Sequence, residues 1–252
     1  MNNRLLSNLS WTRFEEQLKA TEDSKLLLPM GSLEQHGPHL PLATDTIIAD
    51  YISKIVSEKL KNSFLMPPLV LGCSLEHIGF PGTISLQLET LTKTILDVTT
   101  SLRQSGIHKI FIINGHGGNR AAIDSTLIKI KHFYPDMHIF SFTILDLVKK
   151  KYCEIRKSDK RLIGHADEME TSIMLAINPE LVDMRKAISE APALPENVSF
   201  EGEDLAKVSF GWRATDLTKS GILGDPLSAD PENGKILIDY AVETIAELVG
   251  SL

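Results

Sequence analysis

The sequence predicts an α/β protein, a three-layer sandwich with a mostly parallel central sheet and helices on both faces. Short apolar runs alternate along the chain with segments whose apolar residues recur at helical spacing. This alternation is typical of parallel sheets, because each crossover between parallel strands needs a helix. The 252 residues fit one large α/β domain or two small ones, and 42% of them are hydrophobic, enough for a substantial core.

The first half of the chain contains two strand–helix pairs. The short apolar run "KLLLPM" (25–30) predicts a strand. A helix is expected over "DTIIADYISKIVSEKLK" (45–61), where Thr44 or Asp45 could cap the first turn. The run "SFLMPPLVLG" (63–72) predicts a second strand, which two prolines interrupt. The helix over "LETLTKTILDVTTSLRQSG" (88–106) is expected to stop at its terminal glycine.

The second half continues the alternation. The run "KIFIING" (109–115) is the clearest strand, followed by a helix over 120–136 and a strand over "MHIFSFTIL" (137–145). Helical periodicity returns in "DEMETSIMLAIN" (167–178) and "GKILIDYAVETIAELV" (234–249). In such folds the functional site lies at the carboxyl ends of the strands. We therefore expect the loops that follow 25–30 and 109–115 to open at the same edge.

Composition excludes several classes of partner. The net charge of -7 argues against nucleic acid or an anionic membrane, because both need a basic face. No apolar run approaches the length of a membrane span, and the first residues lack a signal-peptide core. The cysteines, Cys73 and Cys153, form no CxxC pair and predict no disulfide framework, which fits a reducing cytoplasm.

The loop "GSLEQHGPHLPLATDT" (31–46) concentrates acidic and imidazole side chains. Glu34 and His36 are two residues apart, so in extended backbone they point to the same side, and Asp45 follows at a predicted helix start. Carboxylates and a neutral imidazole suit Zn²⁺, Mn²⁺ or Fe²⁺. The alternative is a solvated surface loop in which Asp45 only caps the helix.

A second loop, "NGHGGN" (114–119), holds His116 between glycines. Glycines permit positive φ and close approach of the backbone to a ligand. A glycine-rich turn between a strand and a helix also resembles a phosphate cradle, but this one lacks the lysine and the spacing of a P-loop. A phosphate loop needs no central histidine, so we favour His116 as a metal ligand.

A third cluster, "GHADEMETS" (164–172), crowds His165, Asp167, Glu168 and Glu170 at a predicted helix start. Acidic residues in a first turn complement the helix dipole, which is the simpler interpretation. Three acids and a histidine exceed that need, so the three clusters together favour one shared site.

The other histidines rank lower. His39 is expected to support a ligand, and His77, in "CSLEHIGFPGTIS", either lines a substrate pocket or is structural. Three histidines without acidic neighbours in the sequence are most simply structural or solvated: His108, His132 and His138.

These motifs, with "EHIGFPGTIS" and "SGILGDPLSADPENG", resemble those of the creatininase (creatinine amidohydrolase) family, in order, over residues 26 to 248. The resemblance implies a single α/β domain, 1–252, with two divalent metal ions (Zn, Mn or Fe) per chain and a homo-oligomeric assembly such as a hexamer. It further implies hydrolysis of carbon–nitrogen bonds in cyclic amides, formamides or related compounds.

Carried over residue by residue, the resemblance implies metal ligation by Glu34, His36, Asp45 and His116, with Asp45 shared by both ions. In the enzyme that opens creatinine, a tyrosine and a metal-binding glutamate follow the histidine of the second motif. Here a diglycine, 117–118, stands instead, which implies a diglycine branch of the family rather than creatininase proper. The creatinine enzyme also has tryptophans around its substrate, whereas the two tryptophans of this chain, Trp11 and Trp212, lie in no matching motif.

The lost carboxylate needs a replacement, and Glu168 is the expected ligand. Glu170 is expected to orient a ligand or His165, although the sequence leaves the two glutamates interchangeable. His165 is the expected proton shuttle to the leaving nitrogen.

The resulting hypothesis is a metal-dependent amidohydrolase that attacks a small-molecule substrate with a metal-bridged hydroxide. The alternatives are a deformylase of a heterocyclic formamide or a peptidase of a peptide-derived cofactor precursor. Outside enzymes, a nucleotide-binding module could use "NGHGGN" as an anion nest.

Overall fold

The computed structural model describes residues 4–159, 164–194 and 210–252. The predicted domain, 1–252, also spans segments 1–3, 160–163 and 195–209, which lie outside the described residues. Within the described residues, the strands are β1 (Lys25–Met30), β2 (Ser63–Leu65), β3 (Lys109–Asn114) and β4 (His138–Thr143). The α-helices are α1 (Trp11–Lys19), α2 (Thr44–Lys59), α3 (Leu88–Gln104), α4 (Arg120–Phe133), α5 (Ile144–Ile155), α6 (Glu168–Ile177), α7 (Ala214–Leu217) and α8 (Pro231–Ser251).

The four described strands form one parallel sheet in the order β2-β1-β3-β4. Because successive side chains alternate between the faces of a strand, Leu27 packs in one core, whereas Leu26 and Leu28 pack in another. Residues of α2, α5, α6 and α8 complete the first core, and residues of α1, α3 and α4 pack in or against the second. The predicted three-layer α/β architecture is confirmed.

The structure differs from the sequence prediction in three helices and one strand. The helices α1, α5 and α7 were not predicted, and α5 begins at Ile144, directly after β4 ends at Thr143. Because no loop separates them, the apolar run of β4 continues into α5, and the sequence pattern shows no boundary between the two elements. The second strand ends at Leu65 because prolines 67 and 68 cannot donate to the ladder, although Leu69 regains a bridge to Met30.

Parallel order places the site-bearing loops together. Strands β1 and β3 are neighbours in register, with Met30 opposite Asn114, so the segments that follow them leave the same edge. Among the described residues, none of the helices combines the length and apolarity needed to cross a membrane.

Candidate metal centre

The loop after β1 is buried rather than solvated. Glu34 and His36 are fully buried, and Asp45 is 2% exposed in the first turn of α2. The N-cap position is Ala43 and no side chain caps this helix, so the expectation that Thr44 or Asp45 caps it is wrong. The Asp45 carboxylate instead accepts a hydrogen bond from Ser32 and lies 3.0 Å, through Oδ1, from Nε2 of His36.

The loop after β3 brings His116 to the same carboxylate. Its Nδ1 lies 2.9 Å from Oδ2 of Asp45, and its Nε2 lies 3.2 Å from Oε2 of Glu34. None of the glycines in this loop has a positive φ. Position 118 needs a glycine because the chain at Cys73 packs closely against it. A methyl group there would lie 2.2 Å from the carbonyl oxygen of Cys73.

The start of α6 supplies a third carboxylate. Glu170 Oε2 lies 3.9 Å from Nε2 of His36 and accepts a hydrogen bond from the backbone N–H of Ala166. Ala166 adopts a left-handed conformation (φ 51°), which few non-glycine residues do. Asp167 caps the helix by accepting from the backbone N–H groups of Met169 and Glu170. The cap and the turn therefore fix the position of Glu170.

Two groups of buried ligand atoms share Asp45. One comprises Glu34, Asp45 and His116, and the other His36, Asp45 and Glu170. Within each group the atoms lie within 4.8 Å of one another. A third possible group replaces Asp45 by His165, with Glu34 and His36.

The carboxylate of Glu168 lies outside these groups of candidate ligands. Its carboxylate accepts hydrogen bonds from the backbone N–H groups of Lys157 and Ser158, at 2.7–3.1 Å, and from the Tyr152 hydroxyl. It belongs to none of the three groups of candidate ligands among the described residues. Of the two glutamates, Glu170 thus lies near His36, whereas Glu168 holds the segment that follows α5.

Three histidines point one nitrogen at a backbone carbonyl. These contacts are His36 Nδ1 to Glu34 O (3.1 Å), His116 Nε2 to Cys73 O (2.9 Å) and His165 Nε2 to Gln35 O (2.8 Å). A carbonyl oxygen only accepts, so in each neutral ring that nitrogen carries the hydrogen. The other nitrogen presents its lone pair to the carboxylates. This is the usual arrangement of metal-binding histidines.

The donor set fits divalent cations. Neither carboxylate oxygen of Glu34 has a hydrogen-bond partner among the described residues, although the residue is fully buried. Buried unpaired acceptors are costly, and lone pairs 2.9–3.0 Å apart at Asp45 repel unless a cation lies between them. Two ligands of one tetrahedral zinc lie roughly 3.3 Å apart, since each is about 2.0–2.1 Å from the ion. The residues therefore fit the metal ions that the sequence predicts.

In the metal-free protein, bound protons must offset the negative charges of the buried carboxylates Glu34, Asp45 and Glu170. Burial raises the pKa of Glu34 to about 7 and that of Glu170 to about 8. Burial alone would lower the pKa values of His36 and His116, but Asp45 beside His36 and Glu34 beside His116 outweigh it and raise both to about 10. The metal-free centre thus retains protons that bound cations would displace.

A cavity of about 320 Å³ opens onto this centre. Strand-edge loops form its floor, and α4, α5 and the residues before α7 form its walls. Four wall residues that the sequence left unassigned or open line it: His77, Tyr152, Arg120 and Trp212. Only His77 was considered for this role from the sequence, through its place in "CSLEHIGFPGTIS"; the positions of Tyr152, Arg120 and Trp212 carried no such signal.

The remaining histidines lie outside the candidate ligand groups. His39 Nε2 is 2.9 Å from the hydroxyl of Thr171, the residue after Glu170, so it packs beside the centre as expected. His108 pairs with Asp136 at the surface, an acidic partner that is distant in sequence.

Known proteins share this architecture and sequence. The profile of a family described as "Creatininase: Creatinine amidohydrolase" matches residues 7–249. Creatinine amidohydrolase of Pseudomonas putida is 28% identical over 97% of this chain and 95% of its own length. The mycofactocin precursor peptide peptidase of Mycobacterium ulcerans is 32% identical over 93% of this chain and 89% of its own. A solved zinc–zinc form of a creatininase variant superposes with a TM-score of 0.78 at 28% identity, covering 97% of this chain and 96% of that one.

Proposed function

Because the chain belongs to the creatininase family and is a metal-dependent hydrolase of carbon–nitrogen bonds, we propose how its own residues perform that reaction. Glu34, Asp45 and His116 would hold one divalent ion, and His36, Asp45 and Glu170 would hold the second. Zinc is the first candidate, with manganese and iron as alternatives. The substrate is a small cyclic amide or a related compound.

One observation carries this proposal: buried acceptors converge on Asp45 from two sides with no protein donor for Glu34 among the described residues. Bound cations would polarise a carbonyl group and lower the pKa of water. The protein's own contribution is to orient the ligands, through the three carbonyl contacts of the imidazoles and the cap of α6.

His165 is placed to move the proton. Hydrolysis forms a carbon–oxygen bond with water and breaks the carbon–nitrogen bond, so a proton must reach the leaving nitrogen. The Nε2–H of His165 is fixed to Gln35 O, and its Nδ1 lies 3.8 Å from Oε1 of Glu34. Burial lowers the pKa of His165 well below its usual value, so the ring is neutral and its Nδ1 carries an unprotonated lone pair. Any proton that it takes from water is therefore held weakly and passed on readily to the leaving nitrogen.

A larger substrate is the second candidate, as a heterocyclic formamide or a cofactor-precursor peptide. A methyl group at Gly117 would meet no heavy atom within 4 Å, so the diglycine leaves the cavity open beside His116. The identity to a peptidase supports the same alternative. A non-catalytic nucleotide site is disfavoured, because buried carboxylates face the "NGHGGN" loop and would repel phosphate.

We further propose the setting in which the enzyme works. Free Cys73 and Cys153 support a cytoplasmic location, and the family resemblance supports a homo-oligomer such as a hexamer, formed by the domain 1–252. The negative net charge supports a small-molecule or peptide substrate rather than nucleic acid or membrane.

Elemental analysis and a substrate screen test the proposal together. About two zinc ions per chain are expected in the loaded wild-type protein, with hydrolysis of one member of a panel of cyclic amides, formamides and short peptides. Asp45→Ala should lose most of its metal, whereas His165→Gln should keep it and lose about a hundredfold to ten-thousandfold in turnover. Full metal content in folded Asp45→Ala contradicts the shared ligand, and metal loss in His165→Gln makes His165 a ligand.

A further inference from the structure

His77 presents a hydrogen where the three other histidines of the site present a lone pair. It is 3% exposed, lines the cavity and lies 3.6 Å, through Nε2, from Oε1 of Glu34. Which of its nitrogens carries the hydrogen follows from its partner, the side-chain amide of Gln35.

The orientation of the Gln35 amide is fixed on both sides. Its Nε2 faces the carbonyl oxygen of Gly221 at 3.0 Å, and its Oε1 accepts from the backbone N–H of Gly37 at 2.9 Å. In the opposite orientation, the amide oxygen would face the carbonyl oxygen of Gly221, and the amide nitrogen would face the backbone N–H of Gly37. The amide Nε2 therefore donates its second hydrogen to Nδ1 of His77, 2.9 Å away.

With Nδ1 occupied as an acceptor, neutral His77 must carry its hydrogen on Nε2. That N–H points into the cavity beside Glu34, so His77 cannot offer a lone pair to a metal ion there. The ring is also held in place from two directions. His165 packs against it with centroids 4.2 Å apart, and Trp212 meets it edge-on at 6.0 Å.

We propose that His77 is a catalytic hydrogen-bond donor, whose Nε2–H binds the carbonyl oxygen of the scissile amide as negative charge develops on it. This inference rests on the hydrolase proposed above. A donor fixed before the reaction stabilises such charge without reorganisation. The Gln35 side chain is its positioning residue, because it sets the tautomer.

The tautomer is tested without any substrate. Nitrogen-15 NMR of the imidazoles in the zinc-loaded protein should show a neutral His77 with hydrogen on Nε2. A hydrogen on Nδ1, or on both nitrogens, overturns the proposal. Because this measurement needs no turnover, failure of the hydrolase proposal is seen separately, as absent hydrolysis by the wild-type protein.

Two variants test the catalytic role. His77→Phe keeps an aromatic ring between His165 and Trp212 but removes the N–H, whereas His77→Gln keeps an amide N–H near the position of Nε2. With 4-nitroformanilide as the probe, His77→Phe should lose about a hundredfold to a thousandfold in kcat, as loss of one such donor typically does. KM and zinc content should change little, and His77→Gln should recover most of the loss.

His132→Phe is the matched control, because His132 lies on the exposed surface of α4, away from the cavity. It should retain wild-type kcat. Equal rates for His77→Phe and His132→Phe contradict the proposal. Loss of zinc in His77→Phe also contradicts it, since His77 would then serve Glu34 and the metal rather than the substrate.

Discussion

At the residue scale, hydrogen bonds to the backbone decide what each imidazole offers. When their rings are neutral, as metal binding requires, His36, His116 and His165 each donate one N–H to a carbonyl oxygen and present a lone pair to the carboxylates. His77 accepts from Gln35 and turns an N–H the same way. Histidine side chains in one cavity thus have two roles, as metal ligands and as a hydrogen-bond donor. The neighbouring carbonyl or amide group determines which role each ring has.

Substitution of the two glutamates should separate metal binding from support. In Glu170→Gln a neutral amide replaces a carboxylate that lies 3.9 Å from Nε2 of His36, so one of two bound ions should be lost or weakened. Glu168→Gln should keep both ions and lower the free energy of unfolding by about 1–3 kcal/mol, because a buried acceptor of backbone hydrogen bonds is impaired. Zinc titrations and denaturant unfolding measure both effects. Metal loss in Glu168→Gln alone would restore the sequence-based choice.

The diglycine should respond asymmetrically to added methyl groups. At Gly118 a methyl would lie 2.2 Å from the Cys73 carbonyl oxygen and 2.5 Å from Nε2 of His116. Gly118→Ala should therefore cost about 1–3 kcal/mol of unfolding free energy, as overpacking typically does. Gly117→Ala, which meets no heavy atom within 4 Å, should be neutral or stabilise by up to about 1 kcal/mol. Equal losses in chemical denaturation would show that the loop relaxes around both positions.

At the scale of elements, apolar periodicity predicted four strands and five helices, most of which are bounded by a turn or a polar loop. It missed α5 because β4 passes into it at Thr143 without an interruption. It also could not choose between Glu168 and Glu170, which lie two residues and so about 200° apart on a helix. One of them faces the centre and the other faces away, and only the packing of α6 decides which.

The first turn of α6 should link helix stability to metal affinity. Asp167 accepts hydrogen bonds from the N–H groups of Met169, Glu170 and Gly164. Asp167→Ala should lower the unfolding free energy by about 0.5–2 kcal/mol and weaken zinc binding, because Glu170 belongs to the freed turn.

Ser10→Ala provides the control, since Ser10 caps α1 in an exposed position outside the metal centre. It should cost comparable stability and leave zinc affinity unchanged. If Asp167→Ala binds zinc as tightly as Ser10→Ala does, the cap does not position the ligand.

For the whole molecule, parallel topology explains why distant motifs meet. Strands β1 and β3 lie side by side, so residues near positions 34 and 116 emerge at one edge, as the alternation of elements predicts. The third motif comes from α6, which packs with α8 and α2 in the layer on one face of the sheet. Its approach depends on helix packing rather than on strand order, so the sequence predicted its participation only from its acidic composition and from the family resemblance.

The assembled centre should exchange protons for metal. Because the metal-free protein has pKa values of about 10 for His36 and His116 and about 8 for Glu170, these groups hold protons at pH 7. Ligands must lose them to bind a cation, so zinc binding should release about two or more protons per chain at pH 7. The sign is fixed: affinity falls as pH falls, since protons compete for the same lone pairs. Calorimetric titrations at pH 6, 7 and 8, in buffers of different ionisation enthalpy, count these protons. Glu170→Gln should release about one fewer than wild type, and an affinity that is flat across this range would mean that the centre is already deprotonated without metal.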